Sequence, residues 1–134
     1  MPKQIKSTET EKITLNLGYV DLGRIDLLVE EGFYTNRTDF LRTAIRAHLA
    51  THGEEVGALV ERRVLEMGLR DIGRAELEAA RDTGEVLHVK VVGLARIASD
   101  VTPELACETI ASINVLGAFQ ASPEVRAALA DRTT

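Results

Sequence analysis

The sequence has no tryptophan, a single cysteine and few aromatic side chains. Because Cys107 is alone, no disulfide can form within one chain, and a reducing, cytoplasmic location is expected. Aromatic residues make up only 4% of the chain, so there are few rings on which unpaired bases could stack. This scarcity disfavours binding of single-stranded nucleic acid and predicts an aliphatic core.

Long apolar runs are also missing. No segment reaches the roughly 20 apolar residues that a membrane-spanning helix needs. The first twelve residues are polar and contain no apolar run of signal-peptide length. We therefore expect a soluble protein with no membrane partner, and we predict that Met1–Thr10 is a flexible arm.

The excess of acidic side chains lies in the second part of the chain. Residues 1–52 hold seven Lys and Arg against seven Asp and Glu, whereas residues 53–134 hold nine against fourteen. The 134 residues suffice for one ordinary domain or two small ones. We predict two domains, residues 1–52 and 53–134, and the neutral first domain remains compatible with binding a polyanion.

Polar and apolar residues alternate strictly along Lys12–Leu17, which predicts a short β-strand with one apolar face. A half-buried edge strand is one interpretation. A lone strand lacks hydrogen-bond partners, however, so pairing with the same strand of a second chain is expected. The polar face of such a ribbon has a size that fits a DNA major groove. The apolar and polar faces are Ile13, Leu15 and Leu17 against Lys12, Thr14 and Asn16.

Two helical patterns follow the strand, over residues 19–31 and 37–52. Apolar side chains recur there every three or four positions, which is typical of amphipathic helices. Gly32 stands where the first helix should end, and glycine can adopt the left-handed conformation that closes many helices. A strand followed by two helices is therefore predicted for the first domain.

The start of the second helix has the features of an anion site. Asn36 can cap the free amides, and Asp39, three residues later, can return a hydrogen bond. Arg37 and Thr38 add a positive charge and a hydroxyl to a helix end that already attracts phosphate. An ordinary capped helix without a ligand is the plainer alternative.

Three segments together resemble the ribbon-helix-helix family of CopG, Arc and MetJ type: Lys12–Leu17, Gly32 and Asn36–Arg46. The resemblance covers roughly the first two-fifths of the chain. It implies an α+β fold in which two chains intertwine and pair their strands into an antiparallel ribbon that enters the major groove.

The resemblance also assigns roles to two groups of residues. The base readers would be Lys12, Thr14 and Asn16, and the phosphate contacts would be Asn36, Arg37 and Thr38. Many members carry an arginine among the readers, and this chain does not. The affinity of one dimer for a specific sequence is therefore expected to be modest.

Residues 53–134 contain an internal repeat. Val89–Ser99 aligns with Ile113–Ser122, and a fainter third copy is Val64–Ile72. Each copy reads as a strand, a glycine bend, a short strand and a short helix, which predicts a small C-terminal domain of two or three β-β-α repeats. Chance similarity within an ordinary α+β domain is the alternative. The aliphatic runs Val86–Val92 and Ile113–Leu116 are expected to be buried on both faces or at a subunit interface.

No constellation of catalytic residues is apparent, so we predict that the protein is not an enzyme and has no cofactor. Cys107 lies among small apolar residues and is expected to be a core residue. His48 and His52 share a helix face, with Glu55 the nearest further ligand. His88 is the other candidate of the second half. We expect solvated histidines and no metal site.

These features predict a sequence-specific regulator of transcription, acting as a repressor, that binds double-stranded DNA. It would be a homodimer or a higher even-numbered homo-oligomer, and residues 53–134 would assemble copies, sense a signal or bind a protein partner. One alternative is the antitoxin of a toxin–antitoxin pair. Another is a structural assembly module in which DNA binding is secondary.

Overall fold

The computed structural model describes residues 10–134, so the predicted arm lies outside the described residues except for Thr10. The chain divides into two compact units, of which the first ends at Gly57 and the second runs from Ala58 to Thr134. The boundary falls inside helix α3 (Gly53–Arg63), a few residues beyond the predicted position. Helices account for 51% and strands for 24% of the structure, which is compatible with the predicted α+β class.

The first unit contains helices α1 (Tyr19–Glu30) and α2 (Arg37–Thr51). Gly32 ends α1 with a φ of 89°, the left-handed conformation expected for it. The amide of Phe33 then donates to the carbonyl of Leu28 at 2.9 Å, which satisfies one of the last free carbonyls of the helix. Both predicted helices are therefore present, with ends within one residue of those expected.

Lys12–Leu17 forms no strand in the single chain. A β-strand exists only with a hydrogen-bonded partner, and the predicted partner is the same segment of a second copy. All strands of the described chain lie in the second unit instead.

The second unit repeats a strand followed by a helix three times. Its order is β1 (Glu66–Ile72), α4 (Arg74–Thr83), β2 (Leu87–Ile97), α5 (Pro103–Thr109), β3 (Ile110–Gln120) and α6 (Pro123–Ala128), with a 3-10 turn at Ala130–Arg132. The strands form a parallel sheet in the order β1-β2-β3. Because crossovers between neighbouring parallel strands are right-handed, successive helices fall on the same face of such a sheet.

One aliphatic core lies between the sheet and its helices. Its buried members come from all three strands and all three helices, among them Ile72, Leu77, Val91, Leu105, Ile113, Val125 and Leu129. Within β2, Val89 and Val91 are buried whereas Lys90 between them is exposed. The chain therefore covers one face of the sheet, and the expected burial on both faces is not met within a single chain.

A stack of three glycines fixes the register of the sheet. Gly68, Gly93 and Gly117 lie opposite one another on neighbouring strands, with φ values of 122°, 138° and 124°. A Cβ atom added to Gly93 would lie 2.1 Å from the carbonyl oxygen of Gly68, and one added to Gly117 equally close to that of Gly93. The third copy is thus present. Each repeat contains one strand that continues through its glycine, where two strands joined by a bend had been expected.

Helices α5 and α6 begin as their sequences indicate. The hydroxyl of Thr102 accepts from the amide of Leu105 at 3.1 Å, and that of Ser122 accepts from the amide of Val125 at 3.2 Å. Proline occupies the first helical position after each cap, where its missing amide hydrogen costs nothing.

Candidate nucleic-acid interface

The three expected base readers are all open to solvent. Lys12, Thr14 and Asn16 are exposed, in a segment without regular secondary structure. The apolar side chains between them are exposed as well, Ile13 to 84% and Leu15 to 61%. Solvent exposure of alternate aliphatic side chains is unfavourable, so this segment presents an apolar surface that has no partner in the single chain.

The described part of the first unit lacks a core of its own. Ile25 is its one buried apolar side chain among residues 10–57. Large apolar side chains of both helices and of the turn between them are open to solvent; the most exposed are Tyr19, Val20, Leu27, Phe33, Ile45 and Leu49. A unit of this size without a core gains too little from burial to offset the entropy of folding.

Asn36 caps helix α2 as predicted. Its side-chain oxygen accepts from the amide of Asp39 at 2.7 Å, while its backbone carbonyl accepts from the amide of Phe40. The return bond differs from the expectation, because the carboxylate of Asp39 accepts from the amide and hydroxyl of Thr35 at 3.0 and 3.2 Å. Asp39 therefore fixes the residue before the cap.

The capped helix leaves two backbone amides without a hydrogen-bond acceptor. Asn36 satisfies the amides of Asp39 and Phe40, and those of Arg37 and Thr38 have no acceptor among residues 10–134. All three expected phosphate contacts are exposed at this helix end. Free amides at a helix N-terminus favour anions, so the local geometry can hold a phosphate oxygen.

Arg37 already has an anionic partner. Its guanidinium binds the carboxylate of Asp26 on α1 at two points, Nε to Oδ1 and Nη2 to Oδ2, each at 2.8 Å. These hydrogen bonds lower the pKa of Asp26 below its ordinary value and raise the pKa of Arg37. Sequence reasoning missed Asp26, because the two residues are eleven positions apart and meet only through the turn between the helices.

The candidate metal ligands do not converge. The rings of His48 and His52 meet edge to face at 5.1 Å, and His52 Nδ1 lies 3.8 Å from a carboxylate oxygen of Glu55. No group of three or more His, Cys, Asp or Glu is arranged to hold a metal ion within residues 10–134. His88 Nδ1 is 2.8 Å from the hydroxyl of Ser112, and Cys107 packs against the core.

An exposed alternating segment, two amphipathic helices joined by a short turn and a cap that leaves free amides at the start of the second helix are features of a DNA-binding module. The chain belongs to the ribbon-helix-helix transcriptional regulator family, whose model matches residues 8–126. The match reaches into α6, so the family pattern includes the three repeats. No curated protein and no solved structure matches the chain. No helix in the described part is long and apolar enough to cross a membrane.

Proposed function

We propose that two copies of this chain pair their Lys12–Leu17 segments into an antiparallel ribbon that reads operator DNA in the major groove, and that the protein acts as a repressor. The observation that carries the proposal is the missing core of the first unit. Ile13, Leu15 and the open helix faces supply the apolar surface that a second copy would cover. When two chains intertwine, the first unit of one copy and the first unit of the other share a single core.

The chemistry of the exposed polar face supports base reading. Lys12 can donate to guanine O6 and N7, and Asn16 can form a bidentate pair with adenine. Thr14 offers a hydroxyl or a methyl group between them. Two copies would present six such side chains on one ribbon, which gives contacts to several base pairs.

Phosphate contacts would orient the ribbon. The free amides of Arg37 and Thr38 directly follow the Asn36 cap in the chain, and the Arg37 guanidinium would add a positive charge when it exchanges Asp26 for a phosphate. Contacts of this kind fix position and carry no sequence information. The acidic residues 53–134 would be repelled by DNA and would stay away from it.

The reading role is tested by the triple variant K12A/T14A/N16A. We expect it to bind duplexes with little preference among sequences while it remains a dimer. K90A is the matched control, since it removes one exposed lysine of the second unit. A footprint that is unchanged in the triple variant would remove these residues from the reading surface.

The ribbon is tested by two neighbouring substitutions on opposite faces of the alternating segment. Ile13→Asp places a charge on the apolar face and should weaken the dimer, so that the copies separate at a higher protein concentration in light scattering. Thr14→Asp adds the same charge to the polar face, so the dimer should persist while operator binding is lost. Equal effects of the two variants on dimer mass would contradict an alternating ribbon.

The antitoxin alternative fits the second unit less well. A segment that folds only on a toxin would have no core, whereas residues 58–134 bury a continuous aliphatic core of their own. A regulator with a folded second unit therefore remains the better interpretation.

A further inference from the structure

The two edges of the three-stranded sheet differ. On β3, residues near the C-terminus take up backbone carbonyls that another strand would otherwise use. The amide of Thr134 donates to the carbonyl of Ile113 at 2.8 Å, and Arg132 Nη1 donates to that of Ile110 at 2.9 Å. Arg126 binds the carbonyl of Phe119. These contacts occupy the β3 edge near its start, at Ile110 and Ile113, and near its end, at Phe119.

The β1 edge has no such cover. Within residues 10–134, β1 pairs with β2 alone. Its seven residues include no proline and no lysine, which are devices that commonly keep an edge strand unpaired. Met67 and Leu69 are 62% and 54% exposed beside it. The edge therefore offers unpaired backbone groups together with apolar side chains.

The glycine stack is also open at this edge. A Cβ atom on Gly93 or Gly117 would collide with the carbonyl of the preceding strand, but one on Gly68 would meet nothing within 4 Å. Gly68 thus has space on its outer side for another backbone to approach closely.

These contacts on the β3 edge limit how copies can join. Head-to-tail stacking would need the β3 edge of one copy against the β1 edge of the next, and that contact would produce open filaments. Two β1 edges can instead meet across a two-fold axis, which makes the strands antiparallel and ends the assembly at two copies. A second copy is also the partner that the proposed ribbon already holds nearby.

We propose that β1 pairs antiparallel with β1 of a second copy, in a register centred on Gly68, to form a continuous six-stranded sheet. In this register Glu66 lies opposite Arg70 of the second copy, and Met67 lies opposite its Leu69. Opposite charges and apolar side chains facing each other across strands stabilise antiparallel pairs. Glycine faces glycine at the centre, where the backbones come closest.

The charges on β1 suit this arrangement. Arg70 is 27% exposed, donates to both carboxylate oxygens of Glu76 and lies 3.4 Å from Glu66 of its own strand, while Glu66 is 65% exposed and can reach a second arginine. Two Glu66 and two Arg70 would then form one network across the axis. A register centred on Leu69 would instead oppose Met67 to Asp71 and lose these matches. Charge complementarity thus selects Gly68 as the centre.

Cysteine cross-linking of the full-length protein tests both the contact and its register. In a C107A background, M67C/L69C places each new thiol opposite one on the second copy. We expect covalent dimers under mild oxidation, formed about tenfold faster than in the single variants, because a disulfide needs Cβ atoms about 4 Å apart. The matched controls M67C and L69C carry the same cysteines without an opposite partner. Absence of cross-links in the double variant, or equal rates in all three, would overturn the proposal.

Hydrogen exchange of the unaltered protein provides a second measurement. In a free edge strand about half of the amides point to solvent and exchange quickly. We expect the amides of Glu66–Ile72 to exchange as slowly as those of β2. Fast exchange of about half of them would overturn the proposal even if a cysteine variant misfolded. Neither experiment uses DNA, so the proposal can fail while the ribbon proposal stands.

Discussion

Arg37 and Asp26 are joined by two parallel hydrogen bonds of 2.8 Å that tie the start of α2 to the middle of α1. Both side chains are about half exposed, at 56% and 51%. The cation proposed to contact phosphate is therefore neutralised by a carboxylate before DNA arrives. DNA binding would exchange one anionic partner for another, and this exchange lowers the gain from the contact.

Asp26→Asn should strengthen binding to any duplex. The asparagine side chain has nearly the same shape as the aspartate side chain but no charge, so the Arg37 guanidinium becomes available to phosphate. Counterion release then predicts a salt dependence of binding that is steeper by about one ion per Arg37 released, measured as the slope of log K against log salt.

Asp21→Asn is the matched control for this substitution. It removes the same charge from the same helix, but Asp21 lies 3.8 Å from Arg24 and makes no contact with Arg37. If both variants strengthened binding equally, net charge alone would explain the effect and Arg37 would not be a phosphate contact.

The features found from the sequence are those that local pattern determines. Apolar spacing located α1 and α2, and Gly32 and Asn36 marked their ends, because helix termini are set by neighbouring residues. The repeat also indicated the strand register. Gly68, Gly93 and Gly117 are 25 and 24 residues apart in the sequence, and they lie opposite one another in the sheet because each repeat places its glycine at the same point of its strand.

The features missed depend on contacts between distant residues. Nothing in the spacing of Asp26 and Arg37 indicates an ion pair, since it arises from how the turn sets one helix against the other. The return bond of Asp39 to Thr35 depends on the backbone path before the cap. Strand β2 continues through Gly93, whose φ is 138°. This backbone conformation is required by the close approach of the neighbouring strands, which the sequence of one repeat does not indicate.

The glycine stack gives a prediction with an internal control. Gly93→Ala would place a Cβ atom 2.1 Å from the carbonyl of Gly68, so either the sheet must separate or the substituted chain must not fold. Gly68→Ala has the same backbone strain, at a φ of 122°, but no neighbouring atom within 4 Å.

We expect Gly68→Ala to cost about 1–3 kcal/mol, the range for a residue held in a sparsely populated conformation, and Gly93→Ala to cost clearly more. Urea unfolding, monitored by circular dichroism, measures the difference. Because the proposed β1 pairing would bring a second copy against Gly68, the comparison is made at a protein concentration at which the chain is monomeric. Equal losses there would mean that strain alone, and not the close approach of the strands, requires glycine at Gly93.

Asn36 combines a structural role with a proposed binding role, and two substitutions separate them. Asn36→Ala removes the bond to the amide of Asp39 and should cost about 0.5–2 kcal/mol of stability, with weaker DNA binding. Asn36→Asp keeps a good cap but brings a negative charge toward the phosphate.

The Asn36→Asp variant should therefore keep its unfolding midpoint and lose affinity for all duplexes. Thermal unfolding and fluorescence anisotropy measure the two effects independently. Asn36→Ser, another good cap without charge, should preserve both. Unimpaired DNA binding by Asn36→Asp would place phosphate elsewhere.

The pair between Arg70 and Glu76 predicts how the stability of the second unit depends on pH. The guanidinium of Arg70 donates to both carboxylate oxygens of Glu76, and these hydrogen bonds lower the pKa of Glu76 below its ordinary value of 4.5. The unfolded chain therefore binds a proton at Glu76 more readily than the folded chain. The contribution of Glu76 is complete above pH 4.5 and is lost as the pH falls through the lowered value.

Glu76→Gln should accordingly destabilise the protein at pH 7, and the difference from the unaltered chain should shrink below pH 4.5. Because the Glu76 side chain is 39% exposed, solvent screening limits the difference to about 1 kcal/mol. Urea unfolding at a series of pH values from 7 to 3 measures it, and comparison of the two proteins cancels the other carboxylates, including Asp26. A difference that stayed constant over this range would show that Glu76 stabilises the fold through packing and not through its charge.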